Sequence, residues 1–165
     1  MRLDNHHSII KVTKTMKKFS EFRAGDVFYS TCSISEKELE EYLNFSRIRN
    51  AFLESRQKGE QQVVSGRAIL ARMEGEFTRL SQIYGNHIIF VGTDGDPEWK
   101  NRNTRFLQLL HTDEVLKLKF TISQIDDVDD KFGKIAVDFE GTNQEGETIV
   151  VSKRNIYRIK KEPPR

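Results

Sequence analysis

The sequence has few of the residues that build cross-linked, metal-bound or membrane-spanning proteins. It holds one cysteine, Cys32, in 165 residues, which excludes an internal disulfide. No cysteine and histidine are spaced as zinc ligands, so neither a metal nor a cofactor is expected. No apolar run approaches the ~20 residues that span a bilayer, and the first residues lack the apolar core of a signal peptide.

The chain also lacks a strong excess of charge of either sign. Lysine and arginine number 27, aspartate and glutamate 25, and the net charge is +2. This balance argues against nucleic acid or an anionic membrane as a partner. With 36% hydrophobic and 32% charged residues, the expectation is a globular cytoplasmic protein with a heavily charged surface.

The length of the chain suggests one domain. Residues 1–22 mix Lys, Thr and His with few apolar residues and are predicted to form a peripheral N-terminal segment. Residues 23–161 are predicted to be the single domain. Residues 162–165 form a tail, since two prolines cannot continue a central strand.

Three helices are predicted. Ser35 and Glu38 match the capping box S-x-x-E and predict a helix over roughly 36–44, with Ile34 and Leu39 as its hydrophobic staple. A second short helix is predicted around 46–57. The clearest helix runs from Gly66 to Gly85, with Ser65 as its N-cap. Its apolar residues recur at helical spacing: Ile69, Leu70, Met73, Phe77, Leu80 and Tyr84.

The rest of the chain is rich in strand signals. Strands are predicted within 24–34 and over 87–92, 104–111, 115–125, 134–143 and 148–159, with a polar loop at 93–103. Apolar and polar residues alternate in two of them, which predicts a meander with one buried face. The order of elements predicts an α+β fold in which a curved antiparallel sheet wraps around one long central helix.

Several local sequences, in the same order, resemble the hotdog fold and within it the MaoC-like dehydratase and (R)-specific enoyl-CoA hydratase family. RAGDVFYSTCSIS followed by EKELEEY resembles the family's opening. VVSGRAILARMEGEF resembles the entry to the hot-dog helix, where the family usually has His-Gly at the position of Ser65-Gly66. RFLQLLHTDEVLKLKFTIS and the closing hairpin KIAVDFEGTNQEGETIVVSKRNIYRI complete a match over about 24–160. The resemblance implies a single hotdog domain over 23–161.

The family's catalytic motif is degenerate in this chain. MaoC-like enzymes carry an Asp and, five residues on, a His in the loop after the first helix. Counting back from Ser65-Gly66 brings this pair to Asn44 and Arg49, and counting forward from Tyr42 brings it to Ile48 and Leu53. No His lies between residues 8 and 86 and no Asp between 26 and 94, so neither alignment supplies the pair.

The expected ligand-binding residues are Ser65, Gly66, Asn44 and Arg49. Backbone amides at Ser65 and Gly66 suit a thioester oxygen, although the two residues also suit an ordinary helix cap. Arg49 suits a carboxylate or phosphate, or is a solvated charge on a helix, and Asn44 suits a helix C-cap. No catalytic residue is assigned; Glu74, beside the apolar stripe, is the candidate base, or else a salt-bridged surface residue.

The resemblance leaves three functions open. The first is a protein that binds an acyl thioester, on coenzyme A or acyl carrier protein, without the Asp/His chemistry. The second is an enoyl-CoA hydratase or 3-hydroxyacyl dehydratase, a lyase of fatty acid metabolism, that uses substitute residues. The third is a hotdog thioesterase with Glu74 or Glu76 as its carboxylate. The family also implies a homodimer, or a hetero-oligomer with a catalytic homologue.

Overall fold

The fold is built on a six-stranded antiparallel sheet, seen in a computed structural model that describes residues 16–55, 60–94 and 103–162. The order of the strands is β1-β4-β5-β6-β2, and β3 pairs with β6 on the same side as β2. The strands are β1 (Val27–Cys32), β2 (Ile88–Thr93), β3 (Thr104–Phe106), β4 (Leu116–Asp127), β5 (Phe132–Thr142) and β6 (Thr148–Lys160).

Strands β4, β5 and β6 form the predicted meander. The alternating residues Leu116, Leu118, Phe120 and Ile122 of β4 are all buried, which confirms the predicted buried face. The predicted strand over 104–111 is shorter, because β3 ends at Phe106. The Leu107 amide still donates to the Ile149 carbonyl of β6, and farther along the chain the Thr112 amide donates to the Gln62 carbonyl instead.

The first helix, α1 (Glu36–Ser46), begins at the predicted capping box. The Ser35 hydroxyl accepts from the Glu38 amide at 3.1 Å, and the Glu38 carboxylate accepts from the Ser35 amide at 3.1 Å. The helix ends at Arg47, whose φ of 60° is left-handed. That break shortens the predicted second helix to α2 (Ala51–Glu54), and residues 56–59 lie outside the described part of the chain.

The third helix, α3 (Gly66–Arg79), packs on the sheet through Ala68, Ile69, Met73 and Phe77. The Phe77 ring lies 5.3–5.7 Å from the rings of three strand residues, Phe120, Phe139 and Tyr157. The helix ends six residues before the predicted end at Gly85, since Leu80 has an extended backbone with ψ of 140°. Turns then bury Ile83, and Gly85 takes a φ of 103°.

The segment predicted to be peripheral contributes to the core at its C-terminal end. Phe19 and Phe22 are buried, and the Phe19 ring lies directly over Gly133 of β5. The Lys17 amide donates to the Gln82 carbonyl at 3.0 Å. Residues 1–15 of that predicted segment lie outside the described part of the chain.

Candidate functional site

A cavity of about 490 Å³ lies beside α3 and is walled by the end of α1 and by the strands around β6. The helix contributes residues at i, i+3, i+4 and i+7, which share one face next to the face that packs on the core. The helical lining residues are Tyr42, Arg67, Leu70, Ala71 and Glu74. The remaining lining residues are Phe90, Gly92, Thr93, Asn103, Thr104, Phe139, Ser152, Asn155 and Tyr157.

The predicted candidate Glu74 lies in the wall of this cavity. Its carboxylate accepts a hydrogen bond from the Tyr157 hydroxyl at 3.2 Å. Tyr157 is 1% exposed, and its ring also packs edge-on against Phe90 at 5.6 Å. Burial raises the pKa of Tyr157, and the Glu74 charge and hydrogen bond raise it further, so the phenol stays protonated and keeps donating.

Three further polar residues of the cavity escape sequence reasoning. Ser152 and Asn155 of β6 are both buried, and the Ser152 and Thr104 hydroxyls are 2.8 Å apart. The Asn155 amide nitrogen donates to the carbonyls of Val137 and Ser152, each at 3.2 Å. A polar Ser-x-x-Asn within an apolar strand is the one signal that could have found them.

Ser65 and Gly66 lie at the start of α3, as predicted. The Ser65 hydroxyl makes no cap hydrogen bond, and the first intrahelical bond runs from the Ile69 amide to the Ser65 carbonyl at 3.0 Å. Within the described part of the chain, the amides of residues 66–68 have no acceptor. The Phe106 ring lies so close to Gly66 that a Cβ there would be 2.9 Å from it, so Phe106 covers this end of the helix.

Asn44 and Arg49 do not line the cavity. They border a separate surface depression, together with Leu43, Arg47 and Glu54. The Arg49 side chain is 84% exposed and pairs with the Glu54 carboxylate at 3.0 Å. The structure therefore separates these two predicted ligand residues from Glu74 and the cavity.

The second carboxylate considered for a hydrolase, Glu76, points elsewhere. It accepts from the Ser30 hydroxyl at 3.0 Å and is not among the lining residues. The nearby Cys32 thiol has its pKa raised to about 11, mainly by burial and next by the Glu76 charge. A thiol that stays protonated is a poor nucleophile, which argues against a nucleophilic role for Cys32.

The histidines within the described residues, His87 and His111, also lie away from the cavity lining. His111 Nδ1 lies 2.7 Å from the Glu114 carboxylate, in a shallow polar groove at the β5–β6 turn. Among residues 16–55, 60–94 and 103–162, no group of three or more His, Cys, Asp or Glu is arranged to hold a metal ion. No helix in the same ranges is both long and apolar enough to cross a membrane.

A curved antiparallel sheet packed around one central helix defines the hotdog fold, and solved structures agree. A monoamine oxidase regulatory protein from Archaeoglobus fulgidus matches with a TM-score of 0.69 at 16% identity, over 90% of this chain and 97% of that one. A MaoC-like dehydratase from Rhodospirillum rubrum matches with a TM-score of 0.64 at 14% identity, over 89% of this chain and 99% of that one. An R-hydratase from Pseudomonas aeruginosa matches with a TM-score of 0.61 at 16% identity, over 90% of this chain and 86% of that one.

No family model and no curated protein matches the sequence. The structural matches confirm the predicted α+β hotdog fold and its likeness to MaoC-like proteins. At such low identity they define the fold, and the function has to be argued from the cavity.

Proposed function

We propose that this protein binds an acyl thioester of coenzyme A or acyl carrier protein without the Asp/His hydratase chemistry. The observation that carries the proposal is the 490 Å³ cavity along α3, which this helix lines from Arg67 in its first turn to Glu74; Ser65 and Gly66 are not among the lining residues. Proteins named MaoC-like dehydratase and R-hydratase share the fold. A cavity of this size falls in the range of small-molecule sites.

The thioester oxygen is proposed to lie at the N-terminus of α3. The amides of residues 66–68 carry the partial positive charge of the helix end, and such groups suit a carbonyl that gains negative charge. Phe106, 43% exposed, covers Gly66 and would move aside for the ligand. The acyl chain would then extend along Leu70 and Ala71 toward Glu74.

Binding is proposed in place of hydration because of the chemistry of the lining residues. Adding water to an enoyl thioester requires a base for the water and an acid for the α-carbon. Among the described lining residues Glu74 is the one carboxylate, and none is a histidine. Its hydrogen-bond partner, Tyr157, has a raised pKa and is a weak acid. Turnover, where needed, would come from a catalytic homologue in a hetero-oligomer.

A second copy of the chain is proposed to pair with β2. This strand is at the edge of the sheet, and in the described part of the chain nothing pairs with its outer side. Ile89 and Val91 are 65% and 54% exposed, and the strand carries neither the Lys nor the Pro that protects edge strands. Because Phe90 and Thr93 also line the cavity, the dimer interface would border the ligand.

Thioester hydrolysis is the second candidate, favoured by the place of Glu74 in the cavity wall. A carboxylate on this helix could activate a water molecule as a general base. The variant Glu74→Gln separates the two functions. Loss of hydrolysis in Glu74→Gln, with hydrolysis kept in the matched variant Glu76→Gln, would establish the hydrolase.

The proposed function is tested by a thermal-shift titration with coenzyme A, crotonyl-coenzyme A and longer acyl forms, with the enoyl absorbance followed in parallel. A ligand at 100 times its Kd stabilises the native protein by about 2.7 kcal/mol, so the Tm should rise. Acyl-pantetheine thioesters test whether the acyl chain and the pantetheine arm, which coenzyme A and acyl carrier protein share, are enough for binding.

A cavity-filling variant locates the binding. Ala71 lines the cavity, and Ala71→Phe should abolish the shift, whereas Ala51→Phe on α2, outside the lining, should keep it. The absence of a shift with every thioester would overturn the proposed function. A shift with loss of enoyl absorbance would show that the protein is a hydratase.

A further inference from the structure

The cavity wall includes buried polar side chains, which is unusual for a chamber that holds an acyl chain. Tyr157 and Ser152 are 1% exposed and Asn155 is 7% exposed. Buried polar groups of this kind are costly unless they find hydrogen-bond partners. The hydrogen bonds that these side chains make, and the acceptors that remain free, indicate which polar groups a ligand in the cavity would carry.

These groups leave hydrogen-bond acceptors unused. The Asn155 amide nitrogen donates to the backbone carbonyls of Val137 and Ser152 at 3.2 Å each, and it also lies 3.1 Å from the Ser152 hydroxyl, which accepts from it. Within the described residues, the Asn155 carbonyl oxygen has one long contact, the Ser152 hydroxyl at 3.4 Å. Glu74 accepts one bond, from Tyr157, and no described cation pairs with it. A carboxylate can accept about four hydrogen bonds, so the Glu74 carboxylate can still accept a hydrogen bond from a donor on a ligand.

A backbone irregularity in β6 turns the two polar side chains toward the cavity. Residues three apart in a regular strand face opposite sides, yet Ser152 and Asn155 both line the cavity. Between them Arg154 has a left-handed φ of 57°, and the pairing with β5 shifts register between Val137 and Phe139. The Arg154 amide is held by the Asp138 carboxylate at 2.8 Å. Bulges of this kind re-aim side chains, and they recur beside functional sites.

The distance along α3 sets where on the ligand this donor must lie. Glu74 is eight residues beyond Gly66, which is about 12 Å along the helix axis at 1.5 Å per residue. Between them α3 lines the cavity with Arg67 in its first turn and then with the apolar Leu70 and Ala71. A thioester at the N-terminus of α3 therefore places the far end of its acyl chain, rather than the carbons next to the carbonyl, beside Glu74.

We propose that the cavity selects acyl thioesters whose chain carries a hydroxyl group at or near its far end. The hydroxyl donates to the Glu74 carboxylate, beside the Tyr157 hydroxyl that this carboxylate already accepts from. This inference rests on the proposed function, since it assumes that the thioester lies at the start of α3. An unsubstituted chain would strip these groups of water and leave them unpaired, which is the strongest means of rejecting an apolar analogue.

The test is isothermal titration calorimetry with paired pantetheine thioesters of the same length. Butanoyl, hexanoyl and octanoyl chains are compared with their omega-hydroxy counterparts. At one length or more, the hydroxylated member should bind at least tenfold more tightly. Equal binding of both members at every length would overturn this inference and leave the proposed function standing. Failure of every thioester to bind would overturn the proposed function itself.

A pair of variants tests whether Glu74 causes the preference for the hydroxylated chain. Glu74→Leu should lose the preference for the hydroxyl and bind the unsubstituted chain more tightly, and Glu76→Leu, on the same helix but outside the lining, should keep the preference. If Glu74→Leu fails to fold, the double variant Glu74→Leu/Tyr157→Phe removes both partners of the pair and is expected to behave in the same way. A hydroxyl preference that survives in these variants, or a hydrolysis that Glu74→Gln abolishes, would overturn the role given to Glu74.

Discussion

The Tyr157 hydroxyl donates a hydrogen bond to the Glu74 carboxylate at 3.2 Å, although the two residues are 83 positions apart in the chain. This bond ties β6 to α3 at the wall of the cavity. It also makes the tyrosine a buried acid whose ionisation the fold resists, because burial and the Glu74 charge both raise its pKa.

Tyr157→Phe should lower the free energy of unfolding at neutral pH by about 1 kcal/mol, the usual net value of one hydrogen bond. The pH dependence should change as well. Because the pKa of Tyr157 is raised in the folded state from 10.0, its contribution to stability is complete below pH 10.0 and declines as the pH rises further. Urea unfolding of the wild type should therefore weaken more steeply above that pH than unfolding of Tyr157→Phe.

The control for that comparison is Tyr84→Phe, at a tyrosine that is 70% exposed. It removes the same hydroxyl group without touching the Glu74 pair. If the free energy of unfolding falls equally with rising pH above 10.0 in Tyr157→Phe and the wild type, Tyr157 is not a buried, protonated residue.

The Cys32 thiol should react slowly with a disulfide reagent in the native protein. Its pKa is raised from 9.0 to about 11, so near pH 8 its thiolate fraction is about 100-fold smaller than that of an unshifted thiol. Glu76→Gln removes one of the charges that raise this pKa and should speed the reaction. The measurement is the pseudo-first-order rate of thiol release, with urea-unfolded protein as the fast reference. A native rate equal to the unfolded rate would show that the thiol is neither buried nor shifted.

Gly133→Ala should destabilise the protein by about 1–3 kcal/mol, the usual cost of overpacking a core. A Cβ at this position would lie 2.2 Å from the buried Phe19 ring, so the ring would be displaced. The matched variant is Gly75→Ala in α3, where a Cβ meets nothing within 4 Å. Thermal or urea unfolding should show that this second change stabilises the protein by about 1 kcal/mol, because alanine is the better helix former. Equal effects of the two changes would contradict the packing of Phe19 on β5.

Ile89→Lys should convert the proposed dimer into a monomer. The side chain lies on the edge strand β2, whose outer side has no partner strand in the described part of the chain, and a lysine there places charge on the strand that would pair with its copy. Tyr29→Lys is the matched control on the opposite edge strand, β1, where the replaced side chain is 71% exposed. Light scattering at micromolar concentration should give a dimer for the wild type and for Tyr29→Lys. A monomeric wild type would overturn pairing through β2.

Local patterns were the reliable guide to the elements. The capping box at Ser35 and Glu38 was correct because both of its hydrogen bonds join residues three apart. The end of α3 was wrong, because the apolar stripe continues to Tyr84 while the backbone turns at Leu80 to bury Ile83. Periodicity reports which residues are buried, and a turn can bury a residue as well as a helix can.

The candidate site shows the same difference between local signals and long-range packing. Helical spacing placed Glu74 beside the apolar stripe, and it lines the cavity; Ser65 and Gly66 were placed at the helix start by its local signature, but they are not among the lining residues. Asn44 and Arg49 came from counting residues against a family motif, and the structure places them at another depression. Ser152 and Asn155 were missed, since without the bulge at Arg154 the two would face opposite sides of β6.

The sequence by itself determined the buried face of the meander and the start of the central helix, because each depends on contacts or alternation within a few residues, and the order of its elements with the family resemblance predicted the α+β hotdog fold. Only the tertiary structure decided that Glu74, Tyr157, Asn155 and Ser152 line the same cavity. That meeting depends on the register between strands and on one left-handed residue in β6, and both are set by packing over more than 80 positions of the chain.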